Sequence, residues 1–201
     1  MFGRMGMRMS SNLGQSNQVA VQAWSTWAVV KSTGAVIGFC VLVALGAQVR
    51  IPIPGTVVPM TLQSLAVLLA GYMLAPRLAA GAMLLYLACG TVYAPLFAGV
   101  GGLWGPTCGY LVGFVLAAWL VSTVRGSGQA SFLRLLAAGA VGLVVLFALG
   151  VAVGSLWMGG LKAATVAGFV PFAVKAVVQL FLAVSLVRCV SGLKRKTFPG
   201  L

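Results

Sequence analysis

Polar positions are sparse along this chain, and where they fall divides it into elements. After a polar stretch holding Arg4, Arg8 and Lys31, the residues from about Ser32 to Val49 form an apolar run. That run predicts a first membrane helix and starts late for a cleavable signal sequence. The segment Arg50–Pro59, RIPIPGTVVP, is punctuated by prolines. Each proline pushes its predecessor out of helical geometry, so an extended loop is expected. A second helix is expected over Met60–Ala75, ending at Pro76-Arg77. No charge follows until Arg125, a run too long for one span of about 20 residues. Tyr93-Ala94-Pro95 and Gly99-Val100-Gly101-Gly102 divide it into a third helix (Leu78–Val92), a glycine-rich loop and a fourth helix (Thr107–Val124). A fifth helix is expected over Leu133–Met158 and a sixth over Thr165–Val190, interrupted at Pro171 and Lys175. The expected architecture is all-α and integral to the membrane. It comprises a cytoplasmic tail (1–31), one domain of six transmembrane helices (32–190) and a basic cytoplasmic tail (191–201).

Charge placement orients these spans. With six spans, one side receives Arg4, Arg8, Lys31, Arg77, Arg125, Arg134, Arg188, Lys194, Arg195 and Lys196, and the other only Arg50 and Lys162. Lys and Arg are in excess on cytoplasmic loops, so both termini are expected inside. The Arg50–Pro59 and Gly99–Pro106 loops then face outward, as for a protein that captures a solute from outside. The cations are scattered between apolar runs, which fits a topology signal rather than nucleic-acid binding.

Composition sharpens the chemistry mainly by exclusion. The 201 residues are 61% hydrophobic, with a mean hydropathy of +1.11, beyond any soluble domain. There are 13 Lys and Arg but no Asp, Glu or His. That removes carboxylate dyads, Ser-His-Asp triads, the usual metal sites and the intramembrane acids of proton-coupled carriers. A phosphate-cradling loop ending in Lys-Ser/Thr is also missing, so uphill movement of a solute needs energy from another subunit. Cys40, Cys89, Cys108 and Cys189 show no metal-ligand spacing and read as small core residues.

The candidate functional residues sit where polar groups enter apolar helices. Thr61 either caps the second helix or faces a ligand. Gln63 needs a partner inside an apolar helix, and a ligand with amide or ureido groups would supply one. In Gly105-Pro106-Thr107-Cys108-Gly109-Tyr110, proline suits a helix start, glycine permits close approach, and Tyr110 brings an apolar ring with a polar tip. Tyr86, Tyr93, Phe97 and Trp104 are further candidate pocket or packing aromatics. Lys175 lies within a span where no acid can neutralise it; it either snorkels or receives an anionic ligand. Gly34 and Gly38 form a GxxxG on the first helix, for packing within the protein or docking on another membrane subunit.

These stretches resemble the BioY family of biotin-binding S components of energy-coupling factor transporters. The resemblance rests on Arg50-Ile51-Pro52-Ile53-Pro54, Val58-Pro59-Met60-Thr61-Leu62-Gln63, Ala94-Pro95-Leu96-Phe97-Ala98-Gly99 and Gly105-Pro106-Thr107 with Gly109-Tyr110-Leu111. It covers about residues 45 to 190. The family's Pro-Phe segment is followed by Gly-Asp and, three residues after the Asp, by Lys. Here the chain reads Pro171-Phe172-Ala173-Val174-Lys175-Ala176-Val177-Val178-Gln179. Aligned without a gap, Ala176 replaces the Asp and Gln179 the Lys; with a short deletion, Lys175 is the family Lys. In both alignments the acid is absent.

The resemblance implies an S-component-like bundle in the bacterial cytoplasmic (inner) membrane and a biotin-capture subunit. Its implied partners are a transmembrane energising subunit and two cytoplasmic ATPases, with biotin as transported ligand and no cofactor. The substrate-binding residues expected are Thr61, Gln63, Tyr86, Phe97, Gly99, Thr107, Tyr110 and Lys175. Three other readings compete: an S component for another vitamin or small heterocycle, a non-catalytic structural subunit, and a membrane enzyme. The last lacks the acids, histidines or metal that chemistry needs.

Overall fold

The computed structural model describes residues 27–53, 58–98, 102–128 and 130–197, with side chains to residue 191. The chain divides into two units, 1–35 and 36–201. Of the first, only the opening turns of helix α1 (Trp27–Gln48) are described. The first thirteen residues of the second continue that helix.

Beyond α1 the second unit holds a short hairpin and six helices. Strands β1 (Arg50–Ile51) and β2 (Met60–Thr61) pair antiparallel, Arg50 against Thr61 and Ile51 against Met60. The helices are α2 (Gln63–Met73), α3 (Pro76–Val92), α4 (Cys108–Arg125), α5 (Phe132–Gly154), α6 (Leu161–Gly168) and α7 (Ala173–Thr197). Single 3-10 turns occupy Ala94–Leu96, Gly102–Trp104 and Val170–Phe172. Four helical stretches are long and apolar enough to cross a membrane: Trp27–Gln48, Cys108–Arg125, Phe132–Gly154 and Leu161–Ser191; α2 and α3 are shorter apolar helices.

Most boundaries follow local chemistry. Pro76 occupies the first turn of α3, where its missing N–H is no loss. Ser131 caps α5, accepting from the Arg134 backbone N–H at 3.3 Å. Gly126 (φ 73°) ends α4 and Gly160 (φ 113°) precedes α6, both in backbone that only glycine adopts readily.

Several expected boundaries move. The second helix starts at Gln63 rather than Met60, because Met60 and Thr61 pair with β1 instead. Thr61 therefore does not cap it; Leu62 holds that position, without a side-chain bond. The fifth helix stops at Gly154, short of Met158. The sixth breaks at Pro171 but not at Lys175, which lies inside continuous α7. Of the cysteines, only Cys40 is buried, and Cys189 is exposed.

Helix α4 is the hub, packing on α2, α3 and most extensively α5, while α7 covers α2 and α5. A Cβ at Gly109 would collide with the Leu149 carbonyl and Val153, so glycine is what lets α4 and α5 approach there. At one end of the bundle, buried hydroxyls donate to backbone carbonyls, one of them left open by the end of α2. Tyr72 Oη donates to Leu135 O at 2.7 Å and Ser122 Oγ to Leu74 O at 2.6 Å. At 1.5 Å rise per residue α2 is only about 16 Å long, roughly half the hydrocarbon thickness. The hairpin that feeds it lies beside the cavity described next, with β2 half-buried and β1 exposed.

Candidate binding cavity

The starts of α2, α4 and α7, the second half of α5 and the end of α6 converge on one cavity. The hairpin side contributes Val58, Pro59 and Thr61; α2 adds Gln63 and Ser64; α4 adds Tyr110, Leu111 and Phe114, with Thr107 just before it. Ala98, Leu146, Phe147, Gly168, Phe172 and Lys175 complete the wall. The cavity volume is about 60 Å³, and the empty space within and around its open mouth about 550 Å³. Ligand pockets commonly combine such apolar walls with a few placed polar groups.

Most polar groups on this wall are bound to the protein itself. Thr61 Oγ1 donates to Gln63 Oε1 at 3.2 Å, and Gln63 Nε2 donates to Tyr86 Oη at 2.7 Å. Ser64 Oγ donates to Gln179 Oε1 at 2.5 Å, and Gln179 Nε2 donates to Thr61 O at 3.2 Å. Tyr110 Oη reaches across a bare patch at Gly150 to donate to Gly168 O at 2.8 Å. Two groups differ. Thr107 Oγ1 is buried with no partner. Lys175 Nζ makes no hydrogen bond and stands 5.6 Å from the Phe172 ring centroid, a cation–π placement. The cavity thus offers a hydroxyl and an ammonium not already engaged by protein hydrogen bonds.

A scan of family models matches residues 15–196 to the BioY family. The chain belongs to that family. The Biotin transporter BioY of Thermotoga maritima is 36% identical over 156 residues, covering 74% of this chain and 90% of the relative. The Probable biotin transporter BioY of Pyrococcus horikoshii is 32% identical, covering 81% and 97%. Among solved structures, the S-component for biotin from an ECF-type ABC transporter superposes with a TM-score of 0.72 at 19% identity, covering 82% of this chain and 93% of that one. The all-helical fold is therefore that of an S component. The BioY family is one of transporters, not enzymes.

Of the eight substrate-binding residues expected from sequence, the structure brings five to the cavity wall: Thr61, Gln63, Thr107, Tyr110 and Lys175. Tyr86 is fully buried one layer behind, between Gln63 and Phe97, whose ring it meets edge-on at 5.5 Å. Gly99 lies outside the described residues. Tyr93 and Trp104 are 61% and 87% exposed and do not line the cavity. The partner expected for Gln63 from a ligand is supplied by Tyr86 instead. Sequence reasoning missed Ser64, Phe114, Phe147 and Phe172. Ser64 adjoins Gln63 and Phe172 sits in the family's Pro-Phe segment, but nothing local marks Phe147, which reaches the cavity only through the α4–α5 packing.

Proposed function

We propose that this chain is the substrate-capture subunit of a biotin uptake transporter. It binds biotin in the cavity and passes it inward with an ATP-driven module of one transmembrane energising subunit and two cytoplasmic ATPases. The observation that carries the reading is the pair of unengaged donors, Thr107 Oγ1 and Lys175 Nζ, on a wall otherwise built of aromatic and aliphatic groups. Biotin matches that wall: an apolar sulfur ring and alkyl chain, with a ureido oxygen and a carboxylate, the last two both acceptors. Phe114, Phe147 and Phe172 flank the rings, and Lys175 receives the carboxylate or the ureido oxygen. Tyr110, Thr61 and Gln63 shape the wall, while Tyr86 and Phe97 hold Gln63 from behind. Gly99, next in sequence to the wall residue Ala98, is retained among the proposed binding residues on its sequence motif alone. The names of the relatives support the ligand.

The same proposal assigns six membrane crossings, with α6 and α7 together as the sixth, in one domain spanning 32–190 between the tails 1–31 and 191–201. The ten-to-two partition of cations supports placing both termini in the cytoplasm of a bacterium, and so an outward-opening cavity. On α1, Ile37, Val41 and Leu45 are at least half exposed, and a Cβ at Gly38 would meet no atom within 4 Å. That apolar face, with Gly34 one turn earlier, is the proposed dock for the energising subunit.

Saturable binding of labelled biotin to the purified protein in detergent tests the reading; absence of saturation up to millimolar ligand refutes it. Because Ala176 stands where an ungapped alignment puts the family's acid, another small heterocyclic carboxylate is the second reading. Its signature is displacement of label by that compound at concentrations below those at which biotin displaces it.

A further inference from the structure

Opposite the cavity, where α4 ends and α5 begins, arginines gather with no acid to meet them. Arg125, the last residue of α4, donates Nη1 to Tyr72 O at 2.6 Å, and its Nε is buried without a partner. Arg134, in the first turn of α5, donates Nε to Val124 O at 3.0 Å, and its Nη2 lies where a Cβ on Gly126 would sit only 2.6 Å away. Arg188 of α7 holds its guanidinium 5.7 Å from the ring centroid of Phe132, two residues before Arg134. The hydrogen bonds of Arg125 and Arg134 are to neutral carbonyls, so their orientation is set while the charge of all three is not neutralised. The whole sequence contains no Asp or Glu that could do it. Each guanidinium has five N–H donors, most of them unused here.

The same turn exposes hydrocarbon. Leu133 is 75% and Phe132 38% exposed. Clustered guanidiniums bordering exposed apolar side chains at a bundle end match a molecule that joins a phosphate to an alkyl chain. Free phosphate would use only the arginines, and an acidic protein segment would leave Leu133 unexplained.

We propose that Arg125, Arg134 and Arg188 bind the phosphate of an anionic membrane phospholipid whose acyl chain lies against Phe132 and Leu133. The site is separate from the cavity and serves to anchor the α4–α5 turn to the membrane surface.

The test is thermal unfolding of the full-length protein in detergent, titrated with dioleoylphosphatidylglycerol, dioleoylphosphatidylcholine or inorganic phosphate. The expected result is a saturable stabilisation by phosphatidylglycerol alone. Its half-saturating concentration should rise about tenfold in Arg188→Gln and in Arg134→Gln, the loss expected for one charged hydrogen bond. Arg188 is exposed and makes no hydrogen bond, so Arg188→Gln leaves the fold intact. Arg50→Gln, at the cavity end, should titrate as the unaltered protein. Equal stabilisation by phosphatidylcholine, reproduction of the shift by inorganic phosphate, or unaltered titration of both arginine variants would each overturn the proposal.

Discussion

Gln63 donates a side-chain amide N–H to the Tyr86 hydroxyl at 2.7 Å, and that hydroxyl in turn donates to the Leu96 carbonyl at 3.0 Å. With Thr61 Oγ1 donating to Gln63 Oε1, the chain of bonds runs from the hairpin through α2 and α3 to the turn after it. One wall of the cavity is thereby locked before any ligand arrives. Gln63 serves as a positioned surface, and the free donors lie elsewhere.

Tyr86→Phe should therefore act mainly on stability. It keeps the ring against Phe97 but leaves the buried Gln63 N–H and Leu96 C=O without a partner, costing about 1–3 kcal/mol. Thermal unfolding in detergent should show the loss, with biotin affinity in the folded fraction changed less than tenfold. An unchanged melting temperature would mean that the bond is not formed in solution.

Thr107→Val makes the opposite prediction. Thr107 Oγ1 is buried and unpartnered, so replacing it with a methyl removes an unmet polar group. The ligand-free protein should melt at the same temperature or higher, while biotin binding should weaken by about 0.5–1.5 kcal/mol, one neutral hydrogen bond. If both quantities stay put, Thr107 does not face the ligand.

Much of this arrangement is legible in the sequence, for identifiable reasons. Pro76 and Pro171 mark helix ends because their constraints are local. Thr61, Gln63, Thr107, Tyr110 and Lys175 stand out because polar groups in an apolar chain need somewhere to go. The β1–β2 pairing is not legible: two residues a side carry no alternation to read, and their register depends on α1 and α2 being in place. Nor is Phe147, whose role comes from the close α4–α5 crossing at Gly109. Gln63's partner was beyond reach for the same reason, since Tyr86 lies 23 residues away on another helix.

Gln179 connects α7 to the cavity wall through Ser64 and the Thr61 carbonyl and is 3% exposed. Gln179→Leu should leave both unpaired and destabilise the protein by about 1–3 kcal/mol. Its biotin affinity, measured on folded protein by calorimetry, should fall less than that of a Lys175 variant. The reverse order would make Gln179, rather than Lys175, the counterpart of the family's lysine.

Lys175 is the residue on which the functional reading can be decided. It lies on the cavity wall, makes no protein hydrogen bond, and rests over Phe172 in a chain without acids. Lys175→Met keeps the length and apolar stem and continues α7, since Met is a good helix former. The ligand-free variant should be at least as stable, because an ammonium within a span has been removed. If Lys175 receives the biotin carboxylate or ureido oxygen, affinity should drop by about 1.5–3 kcal/mol, tenfold to more than a hundredfold in Kd. Calorimetric titration of both forms in the same detergent separates the roles. Weakened binding with undiminished stability identifies Lys175 as a ligand-binding group, and equal affinities would remove it from the site.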